Sequence, residues 1–287
     1  MNAISPEDYL EPPCPLERPY APGCGAPHHT HDEHCGCGHH HRERIPVGEI
    51  IAKCDAFFNS EQMGPLGDHL RHWLARAREI GDEQGELTML SELMGHYRMT
   101  GDRERGLEAV REGFELMKKI GEEGTVSAGT ILLNGATALQ AFGETEKALN
   151  CYAEAFRCYG AHLDPSDGRF AGLFNNMAAA YAARGDLKSA ETHYLKALDV
   201  LKACGNLMDA AVTYVNLAQL YAGADPADPM VEVSLDCAMD CFDSPDAVRD
   251  GYYAHTCRKC ASAFGAFGRP ETEKDLDSRA DSYYAGH

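Results

Sequence analysis

The residues of this chain with the clearest capacity for chemistry are the cysteines and histidines of its first 44 residues. Thiolate and imidazole groups are ligands that Zn and Ni accept in proteins. Glycines stand between several of them and would let the chain fold back around an ion. We therefore predict that this segment binds Zn or Ni, with the ligands drawn from Cys24, His28, His29, His31, His34, Cys35, Cys37, His39, His40 and His41, and with Cys14 as a further candidate.

The spacing of these ligands does not match a zinc finger. A single residue separates Cys35 from Cys37, and no second well-spaced pair follows. Redundant ligands favour several exchanging geometries, which suits metal buffering, sensing or delivery more than catalysis. Two plainer interpretations stay open, namely an expression tag and a solvated linker that binds metal only in the test tube.

The remaining reactive side chains do not assemble a catalytic site. Cys257 and Cys260 form a CxxC, but they fall one turn apart on a predicted helix at apolar repeat positions, so we interpret them as packing residues. His69 and His72 share a helix face and could hold a metal, although an exposed polar face explains them equally well. The phosphate-binding, nucleophile-elbow and zinc-protease motifs are absent from the sequence. We therefore expect no enzymatic activity.

The composition changes abruptly near Ile45. Seven of the 14 prolines and seven of the 14 histidines precede it. Proline at this density removes amide donors and disfavours helices. We predict a disordered or metal-ordered tail over residues 1–44 and a helical repeat domain over residues 45–287.

The second region repeats itself. A glycine followed by an acidic residue occurs at Gly101-Asp102, Gly143-Glu144 and Gly185-Asp186, with a step of 42 residues each time. The segment 171–198, AGLFNNMAAAYAARGDLKSAETHYLKAL, places large, small and aromatic residues at helical spacing on both sides of that turn. A single hairpin of this kind cannot bury its apolar face alone, so neighbouring hairpins must stack.

This pattern resembles the tetratricopeptide repeat family. Phe174, Met177, Ala178 and Tyr181 stand at the family's positions before the turn, and Ala190, Tyr194 and Ala197 at those after it. The long period is similar to that of the repeats of kinesin light chains and related adaptor proteins, and a HEAT-like solenoid has a similar period. The resemblance implies an all-α fold, a right-handed solenoid of about six helical hairpins.

The flanking units fit the pattern less closely. Residues 46–59 and 65–80 read as one helix pair, and residues 245–266 and 270–284 as another. Gly106, Val110 and Gly113 replace the usual alanines of one second helix, and the second helix after the turn ADPADP fits poorly.

Asparagines recur at one position of three successive units, at Asn134, Asn176 and Asn216. In the families that this chain resembles, asparagines at that position face the inner groove and hold the backbone of an extended peptide, since an amide both donates and accepts hydrogen bonds. Asn175 adds a neighbouring amide. Side-chain selection would come from Arg98, Gln140, Gln219, Thr130 and Thr137. Alternatively, the asparagines only form hydrogen bonds with the adjacent helix.

The charge balance bears on the class of partner. The formal net charge is -19 and the pI about 5.1, which disfavours binding to nucleic acid and to anionic membranes. The start of the chain lacks the pattern of a secretory signal, and we expect a cytoplasmic protein.

Two functions follow from these features. The first is an adaptor that binds a peptide or a partner protein's segment in its groove, with a metal-binding tail. The alternative is a metal-handling protein (a buffer, sensor or delivery protein) whose array docks a client apoprotein. A regulatory peptide receptor is a weaker third, because no effector domain is recognisable in the sequence.

Overall fold

The computed structural model describes residues 43–59 and 62–285, and these residues form helices and connecting loops without a strand. The helices are α1 Val47–Asn59, α2 Met63–Ile80, α3 Glu83–Thr100, α4 Arg103–Lys119, α5 Val126–Ala141, α6 Thr145–His162, α7 Gly168–Ala183, α8 Leu187–Cys204, α9 Leu207–Ala224, α10 Pro229–Asp243, α11 Gly251–Ala266 and α12 Pro270–Tyr284. These six pairs in the described residues confirm the predicted all-α fold. The tail predicted over residues 1–44 lies almost entirely outside the described part, so its boundary stays a prediction.

The chain divides into two compact units, one ending at Met89 and the other beginning at Leu90, within α3. In the first unit α1 packs on α2, and the core between them contains Ile50, Cys54, Leu66 and Leu70. The buried carboxylate of Asp82 accepts a hydrogen bond from the amide of Ile45 at 2.9 Å. Asp82 therefore fixes the chain entering α1 against the start of α3.

The second unit has two layers of helices. The first helices of its pairs, α3 from Leu90 onward, α5, α7, α9 and α11, form what we call the first-helix layer. The second helices α4, α6, α8, α10 and α12 form the other layer. The helices of a pair pack against each other, as α5 packs on α6 and α7 on α8, and successive pairs also make contact.

Small residues allow the helices of a pair to approach closely. Ala136, Ala178 and Ala218 in the first helices are completely buried, as the sequence predicted. Tyr152 and Tyr194 fill the adjoining space from the second helices. Because interiors pack as densely as organic crystals, a small residue on one helix requires a large one opposite.

The two glycines that replace the usual alanines in α4 have a structural cause. A Cβ on Gly106 would lie 2.4 Å from the ring of Phe142, and one on Gly113 would lie 2.5 Å from the methyl group of Met94. Larger neighbours occupy the space that an alanine methyl group fills in the other units. The departure from the repeat pattern is therefore compensated, and α4 forms over 17 residues.

The recurring turn glycines adopt the left-handed conformation that favours glycine. Gly101, Gly143 and Gly185 have φ between 72° and 84°. The acid that follows begins the second helix. Asp186 accepts a hydrogen bond from the amide of Ser189 at 3.1 Å, and Asp102 does the same for Arg105.

The last pair begins later than the sequence suggested. The expected helix over 245–266 starts instead at Gly251, because the carboxylate of Asp250 accepts a hydrogen bond from the amide of Tyr253 at 2.9 Å and caps the helix there. Residues 245–250 form the connecting loop. The second helix after the ADPADP turn does form, as α10, and begins with Pro229 in its first turn.

Candidate functional site

The predicted binding asparagines all lie in the first-helix layer. Side-chain hydrogen bonds and the packing of α5 on α7 link the successive helices of this layer into a row. The amide nitrogen of Asn134 on α5 donates to the hydroxyl of Ser91 on α3 at 2.9 Å, and that of Asn175 on α7 donates to Thr213 on α9 at 2.9 Å. The hydroxyl of Tyr252 on α11 donates to Asp209 on α9. We call the accessible side of this row the first-helix face.

For Asn134 and Asn175 these bonds match the alternative interpretation, in which the amide ties adjacent helices together. Thr213 is buried, and its own hydroxyl proton goes to the carbonyl of Asp209 at 2.7 Å, so it accepts from Asn175. The carbonyl oxygen of Asn175 is buried without a hydrogen-bond partner in the described structure. These two amides therefore position the layer.

Asn176 and Asn216 behave differently. Both side chains are half-buried, and neither amide forms a hydrogen bond with the described part of the chain. A partly buried amide without a protein partner can be satisfied by water or by the peptide backbone of a bound segment. The three equivalent asparagines thus separate into one that is structurally engaged and two that are available.

The other predicted residues vary in the same way. Gln140 accepts a hydrogen bond from the hydroxyl of Tyr152 at 2.8 Å, so it is partly engaged. Burial raises the pKa of Tyr152, and the nearby guanidinium of exposed Arg98 partly offsets that effect. Gln219 and Thr130 are exposed, and Thr130 shares a hydrogen bond with the hydroxyl of Tyr159 at 3.1 Å. Thr137 is half-buried and donates to the carbonyl of Asn134.

A cavity of about 320 Å³ lies between α9 and α11 on this layer. Two of the predicted residues, Asn216 and Gln219, line it together with Lys259 and Ser262 from α11. Val212, Val215, Cys260, Ala263 and Ala266 complete the lining. The cavity combines an apolar lining with polar groups that could fix a ligand's orientation, as small binding sites do.

Lys259 and Ser262 were not among the residues predicted from the sequence. The signal that could have found them is a step of 43 residues, which leads from Asn216 to Lys259 and from Gln219 to Ser262. It was hidden because a lysine replaces the recurring asparagine and because the last unit uses cysteines at its apolar positions. Lys259 is exposed and forms no ion pair with the described residues.

The cysteines of α11 are packing residues, as predicted. Cys257 and Cys260 are at most 2% exposed, and burial raises the pKa of Cys260 to about 12. A thiol with a raised pKa is a poor nucleophile and a poor metal ligand at neutral pH. Within residues 43–59 and 62–285, no group of three or more cysteine, histidine or acidic side chains is arranged to hold a metal ion.

His69 and His72 are engaged with aromatic rings. His69 lies edge-on to Phe57, with the ring centroids 5.8 Å apart, and His72 packs against Trp73 at 5.3 Å. Burial lowers the pKa of His69.

The ten predicted metal ligands between Cys24 and His41 lie outside the described residues. A membrane-crossing helix would have to be longer and more apolar than any helix found in the described part.

Comparison with known proteins supports the fold. Residues 169–228 match the family model for tetratricopeptide repeats. The structure resembles BtubC (BKLC) from P. vanneervenii with a TM-score of 0.51 at 16% identity, covering 85% of this chain and 92% of that one. It also resembles the TPR-like repeats of a kinesin light chain from Podospora anserina with a TM-score of 0.50 at 16% identity, covering 70% of this chain and 95% of that one. No curated protein gives a significant match. The predicted resemblance to long tetratricopeptide repeats is confirmed.

Proposed function

We propose that this array of tetratricopeptide-type repeats is a non-catalytic, cytoplasmic interaction module that binds an extended segment of a partner protein along its first-helix face. The observation that carries the proposal is the pair of available amides, Asn176 and Asn216, at equivalent positions of successive repeats. An amide can accept from a backbone N–H and donate to a backbone carbonyl at once. Repetition of such a group along a row matches the repeating peptide units of an extended chain.

The cavity beside Asn216 supports the same proposal. Its apolar lining could accept one side chain of the segment, while Asn216 and Gln219 bind the adjacent backbone. Apolar burial supplies affinity, and the amides fix the register of the segment.

A random 12-residue peptide library displayed on phage tests this proposal. We expect enrichment of specific peptides on the wild-type chain and loss of binding by Asn176→Ala combined with Asn216→Ala. The double variant Asn134→Ala and Asn175→Ala is the matched control. It removes two amides that form hydrogen bonds with neighbouring helices. We therefore expect it to lower the thermal midpoint and to retain affinity for the selected peptides.

The opposite pattern would argue against the site. If Asn176→Ala with Asn216→Ala leaves the affinity for the selected peptides unchanged while the fold is intact, the binding surface lies elsewhere. If no peptide is enriched, the chain does not bind linear segments by itself.

We further propose that the segment preceding Ile45 binds Zn or Ni through its cysteines and histidines. The support is the ligand density in the sequence. Full-length untagged protein, purified without chelator, should contain metal by elemental mass spectrometry. Replacing Cys24, Cys35 and Cys37 by serine should lower that content. No metal after loading with Zn or Ni would reject the proposal, and the metal-handling function with it.

A further inference from the structure

The central part of the first-helix face, on α5, α7 and α9, carries almost no charge in a chain of net charge -19. Across α5, α7 and α9, the only lysine, arginine, aspartate or glutamate residues are Arg169 and Asp209. The second helices contrast with this. In α10, for example, Glu232, Asp236, Asp240 and Asp243 occur without a cation. Charge is therefore concentrated in the other layer.

The two exceptions are both near the start of their helices and are engaged locally. Arg169 pairs with Asp167, the residue that caps α7, with N–O distances of 2.7 and 2.8 Å. Asp209 accepts hydrogen bonds from Asn206 at 2.8 Å and from Tyr252. Neither is at the asparagine positions in the middle of the layer. A segment crossing Asn134, Asn176 and Asn216 thus meets amides, hydroxyls and small apolar side chains.

Such a surface should select against charged partner segments, because it offers no side chain of opposite charge. A charged side chain brought against it would lose part of its hydration and find no ion of opposite sign, and burying an unpaired charge is costly. An uncharged side chain bears no such cost. Selectivity can arise from an interaction that disfavours the wrong partner.

Resting on the proposed function, we infer that the partner segment is uncharged over the stretch that faces α5, α7 and α9. Neighbouring helix axes are about 10 Å apart, and an extended chain advances about 3.3 Å per residue. Crossing from α5 to α9 therefore takes about six residues. Lys259 on α11 lines the cavity beside Asn216 and Gln219, so the segment can carry an acidic residue beyond its uncharged core but none within it.

The phage library described above tests the inference through the composition of the selected peptides. We expect enriched sequences to contain an uncharged core of about six residues. The dissociation constant of a synthetic peptide limited to that core should change less than about two-fold between 50 and 500 mM NaCl, because no ion pair in the core is screened.

Variants that add charge to the face provide the second measurement. Thr137→Lys and Ala179→Lys, at equivalent positions of α5 and α7, should shift selection toward peptides with an acidic residue in the core. The control is Asp240→Lys, which also introduces a lysine but at an exposed position of α10 outside the first-helix face, and should leave the selected sequences uncharged. Circular dichroism confirms that each variant is folded before panning.

These measurements distinguish failure of the inferred segment chemistry from failure of the proposed binding function. Enriched peptides that carry charges within the core, or an affinity that falls at least five-fold with salt, would overturn the inference and leave the binding function standing. Absence of any enrichment on the wild-type chain would overturn the binding function, and the inference with it.

Discussion

At the scale of single residues, the glycines inside the helices are of two kinds. At some, a neighbouring side chain leaves no room for a Cβ atom, and at others the space is open. A Cβ on Gly129 would lie 2.6 Å from the ring of Tyr159 and 3.1 Å from the Cβ of Cys158, and both neighbours are buried. A Cβ on Gly172, which is exposed in α7, would meet nothing within 4 Å.

We therefore predict opposite effects for the same substitution. Gly129→Ala should lower the free energy of unfolding by about 1–3 kcal/mol, because the core must shift to admit a methyl group. Gly172→Ala should raise it by about 0.5–1 kcal/mol, because alanine is the better helix former. Chemical denaturation measures both. Equal destabilisation by the two would mean that the close contacts at Gly129 do not limit the packing.

His193 provides a residue-scale prediction about pH. It is buried in α8, its Nδ1 lies 2.7 Å from the carbonyl of Ser189, and its ring stacks on Tyr181 with centroids 4.9 Å apart. Burial lowers the pKa of His193. An unfolded histidine has a pKa of about 6.5, so below that pH the unfolded state takes up a proton that the folded state resists.

The stability of the chain should therefore decrease as the pH falls below about 6.5. His193→Phe keeps an aromatic ring at this site and should reduce that decrease between about pH 6.5 and 5. Thermal midpoints of the two proteins over this range provide the comparison. Parallel curves would show that His193 contributes nothing to the pH dependence, leaving it to groups such as His69.

At the scale of elements, the recurring Gly-acid turn has two structural roles. Asp102 and Asp186 cap the helices that they precede, whereas Glu144, one methylene longer, forms no capping hydrogen bond. Glu144 instead pairs with Arg103 of the preceding unit at 2.8 Å and with Lys147. The same turn thus stabilises the start of the second helix in two helix pairs, and in a third it connects that pair to the preceding one.

The caps allow a matched pair of substitutions. Asp186→Ala should cost about 1 kcal/mol of stability, because the amide of Ser189 loses its acceptor. Asp186→Asn should cost much less, since asparagine offers an equivalent acceptor. Urea denaturation of both variants gives the comparison. An equal loss in the two would assign the effect to the charge of Asp186 and not to its hydrogen bond.

The sequence could predict the elements that obey the repeat and not the contacts between them. The helices α5 to α8 follow from the turn glycines and the buried alanines, whose spacing is local. The start of α11 could not be read in the same way, because Asp250 and not Pro245 begins the helix. The bond from Asn134 to Ser91 spans 43 residues and depends on the register between two units, which no local pattern encodes.

At the scale of the whole molecule, the uneven distribution of charge should govern the response to salt. A net charge of -19 produces repulsion within the compact state, and the helices of the second layer carry many more acids than those of the first-helix layer. Many exposed ion pairs, such as Arg111 with Glu108 and Glu115, contribute little by comparison.

We predict that raising NaCl from about 20 to 200 mM increases the thermal midpoint, because the acids are screened from one another. Asp240→Asn removes one acid from α10 and should both raise the midpoint at low salt and diminish the response. Differential scanning fluorimetry measures this. A midpoint that falls with salt would show instead that the ion pairs outweigh the repulsion.

The order in which the pairs contact one another has a consequence for folding. The side-chain hydrogen bonds described above join each helix pair to the next one, as from Asn175 to Thr213 and from Arg103 to Glu144. Contacts of this short sequence separation give a low contact order, so any interior pair can nucleate and its neighbours can add to it. The last pair is supported from one side only within the described chain. Local unfolding of this last pair leaves the interior helix pairs folded. The amide hydrogens of α12 should therefore exchange with solvent sooner than those of α7.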